Sequence, residues 1–299
     1  MVFGYFVSMK QTNLLKVSVF LIFLGRAWQH LFWDAPYRTF FWDESLLKPI
    51  IENWFGMNWS EYVTSSSTDN FIQIFIQCNG FLYLLAAGCT LLVTKSNKKL
   101  FGIPVYLGGI SLVILSVLLA KEKFYHVAQF FEHSIQFGLP FVFLYTFNEN
   151  FEKFRLYFIF KVLIAITFFS HGLYAFGAYP VPGKFVDMVI NIFGCSESFA
   201  ITFLYVAGIL DFILAVFIFI PKLAKYALIY AIIWGLLTAF ARLAANFYWE
   251  FPLQTLHQNL YQVIFRLPHG LTPLIVLLGI HAYFRRKSFA YRRKLVSNR

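Results

Sequence analysis

Long apolar stretches separated by short polar turns run along the whole chain, and most stretches approach or exceed twenty residues. A helix rises 1.5 Å per residue, so a stretch of that length crosses roughly 30 Å of hydrocarbon. The pattern predicts spans at 14–33, 71–94, 101–120, 125–147, 156–178, 198–221, 224–245 and 261–284. The fold class it predicts is all-α: a polytopic membrane protein of about eight transmembrane helices, arranged as two repeated four-helix bundles.

Polar residues between the spans give the chain a direction. Lys10, Lys16, Lys95, Lys98, Lys99, Lys153, Arg155, Lys161, Lys222, Lys225 and a tail from Arg285 to Arg299 fall on one side of an eight-span topology. Positive loops are retained in the cytoplasm, so that side, with both termini, is predicted to be cytoplasmic. Asp34, Asp43, Glu44, Glu52, Glu61, Asp69, Asp187, Glu197 and Glu250 lie on the other side. The N-terminus shows no small-residue cleavage site after a short apolar core, so the first span is expected to be retained. The location this implies is an integral protein of a bacterial cytoplasmic (inner) membrane, with the lipid bilayer as its first partner.

Composition agrees: 59% of the 299 residues are hydrophobic and 13% charged, far from the soluble balance. The net charge of +11 sits in juxtamembrane turns and the tail, where it favours an anionic leaflet. It needs no nucleic acid partner. Cys78, Cys89 and Cys195 match neither a zinc spacing nor a CxxC pair; Cys78 and Cys89, in one span, read as small buried hydrophobes, and Cys195 lies alone in an outer loop.

Two halves follow the same order of helix, outer segment, helix, basic turn, helix, outer turn, helix. FLYLLAAG (81–88) parallels FLYVAGIL (203–210), and eleven residues separate both Gln129 from Pro140 and Gln262 from Pro273. The predicted units are 1–150, a first four-helix membrane unit with an outer amphipathic segment at 33–70, and 151–299, a second four-helix unit with a basic cytoplasmic tail. In the outer segment Trp42, Trp54 and Trp59 are expected to anchor a short interfacial helix.

FIFKVLIAITFFSHGLYAFGAYPVPGKFVDMV followed by FLYVAGILDFILAVFIFIPKLAKYALIYAIIWGLLTAFARL resembles the DoxX-like membrane family: a helix ending in His-Gly, a loop with a Phe, an Ala-Gly-rich second helix, and a third ending near Arg or His. The resemblance covers about Tyr157 to Ala245 and makes 151–299 the DoxX-like unit. It implies a four-helix membrane bundle, in some members a subunit of a quinone-linked oxidoreductase that handles thiosulfate, with His171 as the main polar position that carries over. A more distant likeness is to the membrane helices of vitamin K-dependent carboxylases, which also bind a quinone.

Ionisable residues collect in the outer half of the predicted spans, where burial in hydrocarbon is costly and function is the default reading. His126, Gln129, His133 and Gln136 form one helical stripe with Glu132 beside it. Such a stripe serves as an interhelical hydrogen-bond network, as a proton relay in which a His exchanges protons beside a carboxylate, or as a haem or metal site using His30, His126, His133 and His171. For the proton reading the expected catalytic residues are His133, Glu132 and His171. Arg26, His30, His126, Gln129, Asp211, Arg242, Arg266 and His269 are the expected ligand-binding residues, and no metal set is assigned.

Arg26 and Arg242 lie near helix ends, where a guanidinium can snorkel to the interface. Arg266 is deeper and needs Glu132 or Asp211, or an anionic ligand. Asp211, mid-span, has to be paired or protonated. His269 follows Pro268, so the helix there should be distorted and its freed backbone groups should find partners.

The expected function is a quinone-interacting oxidoreductase, or its membrane subunit acting with a membrane or soluble redox partner, with quinone or haem as candidate cofactor. The alternative is a noncatalytic membrane partner or small-solute carrier, against which stands the lack of a visible pair of broken helices at matching positions. Whether the chain is itself an enzyme stays open. The expected site is an outward-facing cavity between the halves, lined by His126, Glu132, His133, His171 and Arg266. No phosphate loop, hydrolase elbow or HExxH occurs in the sequence, which excludes those chemistries.

Overall fold

The computed structural model describes residues 9–148 and 151–280; the basic tail from Arg285 lies outside them. Every element among the described residues is helical. The chain forms α1 (Met9–Phe32), the outer helices α2 (Arg38–Phe41), α3 (Glu44–Trp54) and α4 (Trp59–Thr64), then α5 (Ser66–Leu92) and α6 (Lys98–Glu122). It continues through α7 (Val127–Phe131), α8 (Ser134–Tyr145), α9 (Lys153–Phe176), α10 (Gly183–Phe193), α11 (Glu197–Phe217), α12 (Ala224–Ala244) and α13 (Pro252–Arg266). Past a turn at Leu267 the last helix resumes over 268–280.

Seven helices among the described residues are long and apolar enough to cross a membrane: 11–32, 66–92, 98–122, 154–176, 197–217, 224–244 and 252–280. Their large apolar residues are exposed along one face, for example Leu85, Leu107, Ile114, Ile209 and Ile233. In a bilayer that face meets lipid at no cost, and the chain is an integral membrane protein.

The predicted span at 125–147 is broken. Phe124 and Tyr125 take left-handed backbone angles, φ 51° and 59°, so the chain turns sharply and α7 starts only at Val127. A second break at Glu132 and His133 separates α7 from the short apolar helix α8. The expected single stripe from His126 to Gln136 therefore does not lie on one continuous helix. The last span is broken too, at Leu267, because Pro268 has no N–H to donate and Gly270 N–H bonds to the Leu267 carbonyl instead of Arg266. Pairing Gln129 with Gln262 sets the Glu132–His133 break opposite Phe265–Arg266, directly before the Leu267–Pro268 break. Matching broken helices, which hydropathy alone did not reveal, are thus present. The last span also begins nine residues before 261, at Pro252; the first turns of α13 are amphipathic rather than apolar, so a hydropathy scan misses them.

Neighbouring helices meet in the order α1, α5, α6, α8, α9, α11, α12, α13 and back to α1, a closed ring. α1 also crosses to α8, and Gly279 lies against the Tyr157 ring of α9, so the middle is filled. One core joins both halves, from Val19, Ile22 and Phe23 through Leu112, Leu139, Phe160 and Leu228 to Ile275.

Two glycines let the site helices touch backbone to backbone. A β-carbon on Gly25 would lie 2.8 Å from the Phe265 nitrogen and the Tyr261 oxygen, and one on Gly235 would lie 2.8 Å from the His269 carbonyl. Small residues of this kind are what allow close helix crossings in lipid.

The outer segment is tied down by charge. Arg38 pairs with Asp34 at 2.7 Å and Asp69 at 2.9 Å, and Lys121 at the end of α6 contacts Asp43, which also caps α3 by accepting from Leu46 N–H. Trp42 and Trp54 are exposed as interfacial anchors should be. Trp59 is not: it stacks on Tyr62 at 5.4 Å, and its backbone N–H donates to Glu52, which leaves it buried.

Candidate functional site

The breaks in α7/α8 and in the last helix face the same layer, near the end of the bundle that carries the acidic loops. Glu132 caps the C-terminus of α7 and is only 4% exposed. Its Oε1 accepts from Arg266 Nη2 at 3.0 Å and lies 3.6 Å from His171 Nε2. Arg266 Nη1 is 3.5 Å from the same imidazole nitrogen. Of the two acids considered for Arg266, Glu132 is the partner. Three of the expected residues, from three separate helices, thus form one centre.

His269 joins it from the Pro268 break. Its Nδ1–H donates to the Arg266 carbonyl at 2.8 Å, the group that lost its helical partner, as expected from the proline. That bond leaves Nε2 as the unprotonated nitrogen, buried and without a partner among the described residues. The His269 and His171 rings meet edge to face at 6.2 Å. His30 and His133 use the same device: Nδ1–H of His30 donates to the Arg26 carbonyl at 2.7 Å, and that of His133 to the Gln129 carbonyl at 2.9 Å.

Arg26 does not snorkel. It is buried, gives Nε and Nη2 to the Gln136 side-chain oxygen at 3.2 and 2.6 Å and Nη1 to Gln29 at 2.8 Å, and lies 4.0 Å from the Phe265 ring centre. The close approach at Gly25 is what puts it there. His30 beside it packs edge-on against Tyr83 at 4.9 Å and Tyr37 at 5.6 Å; burial pushes the Tyr37 phenol upward, so it stays neutral. Tyr83 in turn shares a hydrogen bond with Ser111 at 2.9 Å.

His126 faces elsewhere. It stacks on Tyr179 at 4.4 Å and lies 3.3 Å from the Tyr174 hydroxyl, because the left-handed turn at Phe124 and Tyr125 carries it away from the Glu132 centre. Gln129 contributes its backbone carbonyl to His133. The four imidazoles considered as nitrogen donors are dispersed, and among the described residues no group of three His, Cys, Asp or Glu side chains could hold a metal ion.

The ring of His171 is shared between this charged centre and a cavity of about 530 Å³ among α9, α10, α11 and α12. Phe185, from the loop-proximal end of α10, stacks on His171 at 6.1 Å. The remaining walls are mostly apolar, with Met188, Ile192, Phe203, Trp234 and Leu237 among them. Arg242 and Asp211 also line it. Asp211 is buried and accepts from the Tyr230 hydroxyl at 3.2 Å; it has no cationic partner among the described residues. Of the five side chains expected to line an outward cavity between the halves, His171 faces this one, which lies within the second half.

Buried polar atoms without a partner among the described residues crowd into the same layer: His30 Nε2, Ser134 Oγ, Gln136 Nε2, Arg242 Nε, Arg266 Nε, His269 Nε2 and Thr272 Oγ1. Native interiors satisfy such atoms through protein, water or ligand partners. Sequence reasoning missed Gln136 as the partner of Arg26, the Tyr37–Tyr83–Ser111 cluster, and Phe185 on His171. The repeat offered a signal for Gln136, which aligns with His269 at the offset that matches Gln129 to Gln262, and the loop Phe of the DoxX-like pattern offered one for Phe185; for the tyrosine–serine cluster the sequence carries none.

Residues 165–266 match the model of the DoxX-like family. The DoxX-like match covers about a third of the 299-residue chain. It contains His171, Asp211 and Arg242 and ends on Arg266, while Glu132, Arg26 and the whole first half lie outside it. No curated protein and no solved structure matches the chain. The DoxX-like segment therefore supplies the cavity and most of its polar lining, and the carboxylate that balances Arg266 comes from the other half.

Proposed function

We propose that this integral membrane protein is the quinone-binding membrane subunit of an oxidoreductase, with electrons delivered by a partner subunit. The observation that carries the reading is the position of His171, on the seam between the Glu132–Arg266 pair and a mostly apolar cavity. A quinone is a lipid-soluble ring with two carbonyl oxygens and an apolar tail. Ligand sites for such molecules are concave and apolar, with a few polar groups that fix orientation.

As a quinone takes up electrons its oxygens take up protons. His171 is the group positioned to give one, and the Glu132 carboxylate, 3.6 Å away, is positioned to stabilise the imidazolium from which that proton leaves, with water as the source that reprotonates the ring. Phe185 holds the imidazole plane, and Arg266 keeps Glu132 in place. His133 and His269, with their Nδ1–H groups committed to backbone carbonyls, present Nε2 as acceptors around this pair. Within this reading 1–150 and 151–299 act as two four-helix units, the site faces outward, and the basic loops lie on the cytoplasmic side of a bacterial cytoplasmic membrane.

Titration of purified protein with a short-chain ubiquinone or menaquinone, followed by quenching of Trp234 fluorescence, tests this. His171→Ala is expected to weaken binding at least tenfold while the protein stays folded. Equal affinity in that variant, together with no quinone in lipid extracts of the purified protein, overturns the reading.

The matching breaks at Glu132–His133 and Leu267–Pro268 favour a second reading, a small-solute carrier, because paired broken helices around a midplane site are a transporter device. Counterflow in liposomes distinguishes the two: solute exchange abolished by Glu132→Gln supports the carrier, and its absence over a broad solute panel removes it.

A further inference from the structure

The charged layer does not balance. Arg26, Arg242 and Arg266 bring three guanidinium groups to it, and Glu132 is the carboxylate that meets them. Glu132 is engaged by Arg266 at 3.0 Å and faces His171 at 3.6 Å. Arg26 is satisfied by the two glutamine side chains and the Phe265 ring. The guanidinium of Arg242 makes no hydrogen bond or ion pair among the described residues, and its Nε is buried without a partner. It lines the cavity that His171 shares.

A guanidinium left unpaired in a low-dielectric wall is unfavourable unless something of opposite charge joins it. Its planar fork of donors matches an oxyanion. The other acid in the cavity does not serve. Asp211 lies fourteen residues along α11 from Glu197, whereas Arg242 lies two residues from the end of α12 at Ala244; at 1.5 Å per residue the two are separated by on the order of 15 Å along the bundle. Between them the cavity walls are Phe203, Leu204, Trp234 and Leu237.

We propose that Arg242 forms an anion subsite, and that the cavity among α9 to α12 takes an amphiphile whose head bears an oxyanion and whose apolar part lies along the Phe203–Trp234–Leu237 wall. Two ligand sources share this chemistry, an acidic ring hydroxyl on a quinone and the carboxylate of a single-chain fatty acid. The ring form rests on the quinone reading above; the carboxylate form does not.

The test uses full-length protein in detergent and three probes: a 2-hydroxy-1,4-naphthoquinone with a long alkyl tail, ionised at neutral pH; the matched naphthoquinone lacking the hydroxyl; and a long-chain fatty acid. Both acidic probes should bind, and Arg242→Gln should weaken each by about tenfold or more, as expected for loss of a charge-assisted hydrogen bond. Arg242→Lys should recover part of that loss, and the neutral naphthoquinone should change by less than about twofold. Because Arg242→Gln removes a guanidinium whose half-buried side chain has no hydrogen-bond or ion-pair partner among the described residues, the variant should fold at least as well as the parent, which keeps the comparison open.

If the acidic probes bind the parent and the Gln variant equally, or fail to bind the parent, the subsite is wrong. Neutral naphthoquinone binding with no dependence of the acidic probes on Arg242 retains the quinone reading and removes the subsite. Arg242-dependent binding of the fatty acid without binding of either naphthoquinone retains the subsite and removes the quinone reading.

Discussion

Replacing Glu132 with Gln should destabilise the protein more than replacing its partner Arg266, and a double-mutant cycle measures why. The Oε1 to Nη2 distance is 3.0 Å, and the two side chains are 5% and 12% exposed. At an effective dielectric of about 20, unit charges at that separation attract by about 5 kcal/mol. Glu132→Gln keeps the shape but leaves Arg266 facing Arg242 and Arg26 with no carboxylate in the layer, so a loss of about 3–5 kcal/mol is expected, the range for a buried pair broken on one side. Arg266→Gln leaves Glu132 with His171 3.6 Å away, an imidazole that can take a proton and replace the lost cation, and its cost should be nearer 1–2 kcal/mol.

The double variant removes both charges and should cost less than the two singles together by about 2 kcal/mol or more. The assay is unfolding of micellar protein by a denaturing detergent, followed by circular dichroism and by fluorescence, fitted only where both probes agree. Additivity within about 0.5 kcal/mol, or a larger cost for Arg266→Gln than for Glu132→Gln, refutes the claim that Glu132 is the carboxylate on which this layer depends.

Three further outcomes follow from the packing. Gly235→Ala puts a methyl group 2.8 Å from the His269 carbonyl and should cost about 1–3 kcal/mol in thermal or denaturant unfolding; Gly88→Ala, with open space at its β-carbon, should be neutral or stabilising. Arg26→Lys should not restore the loss seen in Arg26→Met, because an ammonium cannot span Gln136 and Gln29 while covering Phe265, and comparison of the two unfolding midpoints checks this. Asp43→Ala removes the α3 cap, about 1 kcal/mol, together with the Lys121 contact, and should speed proteolytic cutting in 44–64 without changing the unfolding midpoint of the bundle by more than a few degrees.

Hydropathy revealed the membrane fold and seven of the spans because lipid asks for little beyond length and apolarity. It could not reveal where helices break. Two left-handed residues at Phe124 and Tyr125 reset the phase of the polar stripe, and periodicity assumes an unbroken helix, so it places His126 with His133 although the ring stacks on Tyr179. The break at Leu267 was legible from Pro268, and the partner of the freed carbonyl, His269, was the next residue. Arg266 with Glu132 was legible as well, since a deep guanidinium has few acids to choose from. Arg26 with Gln136 was not: a helix end suggests snorkelling, and only the backbone contact at Gly25 turns the side chain inward. The cavity was illegible for a similar reason, because its walls are ordinary apolar residues whose inward or lipid-facing direction depends on which helices are neighbours.

The central claim, a ligand site at the His171 seam, is tested most directly by photo-crosslinking membranes with a quinone that carries a photoreactive group, followed by peptide mass spectrometry. The expected labels fall on 183–193 and 231–242, the segments holding Phe185, Met188, Trp234 and Leu237, and are suppressed by excess unlabelled quinone. Labelling spread over the lipid-exposed faces of α5 and α6, unaffected by competitor, would contradict the account.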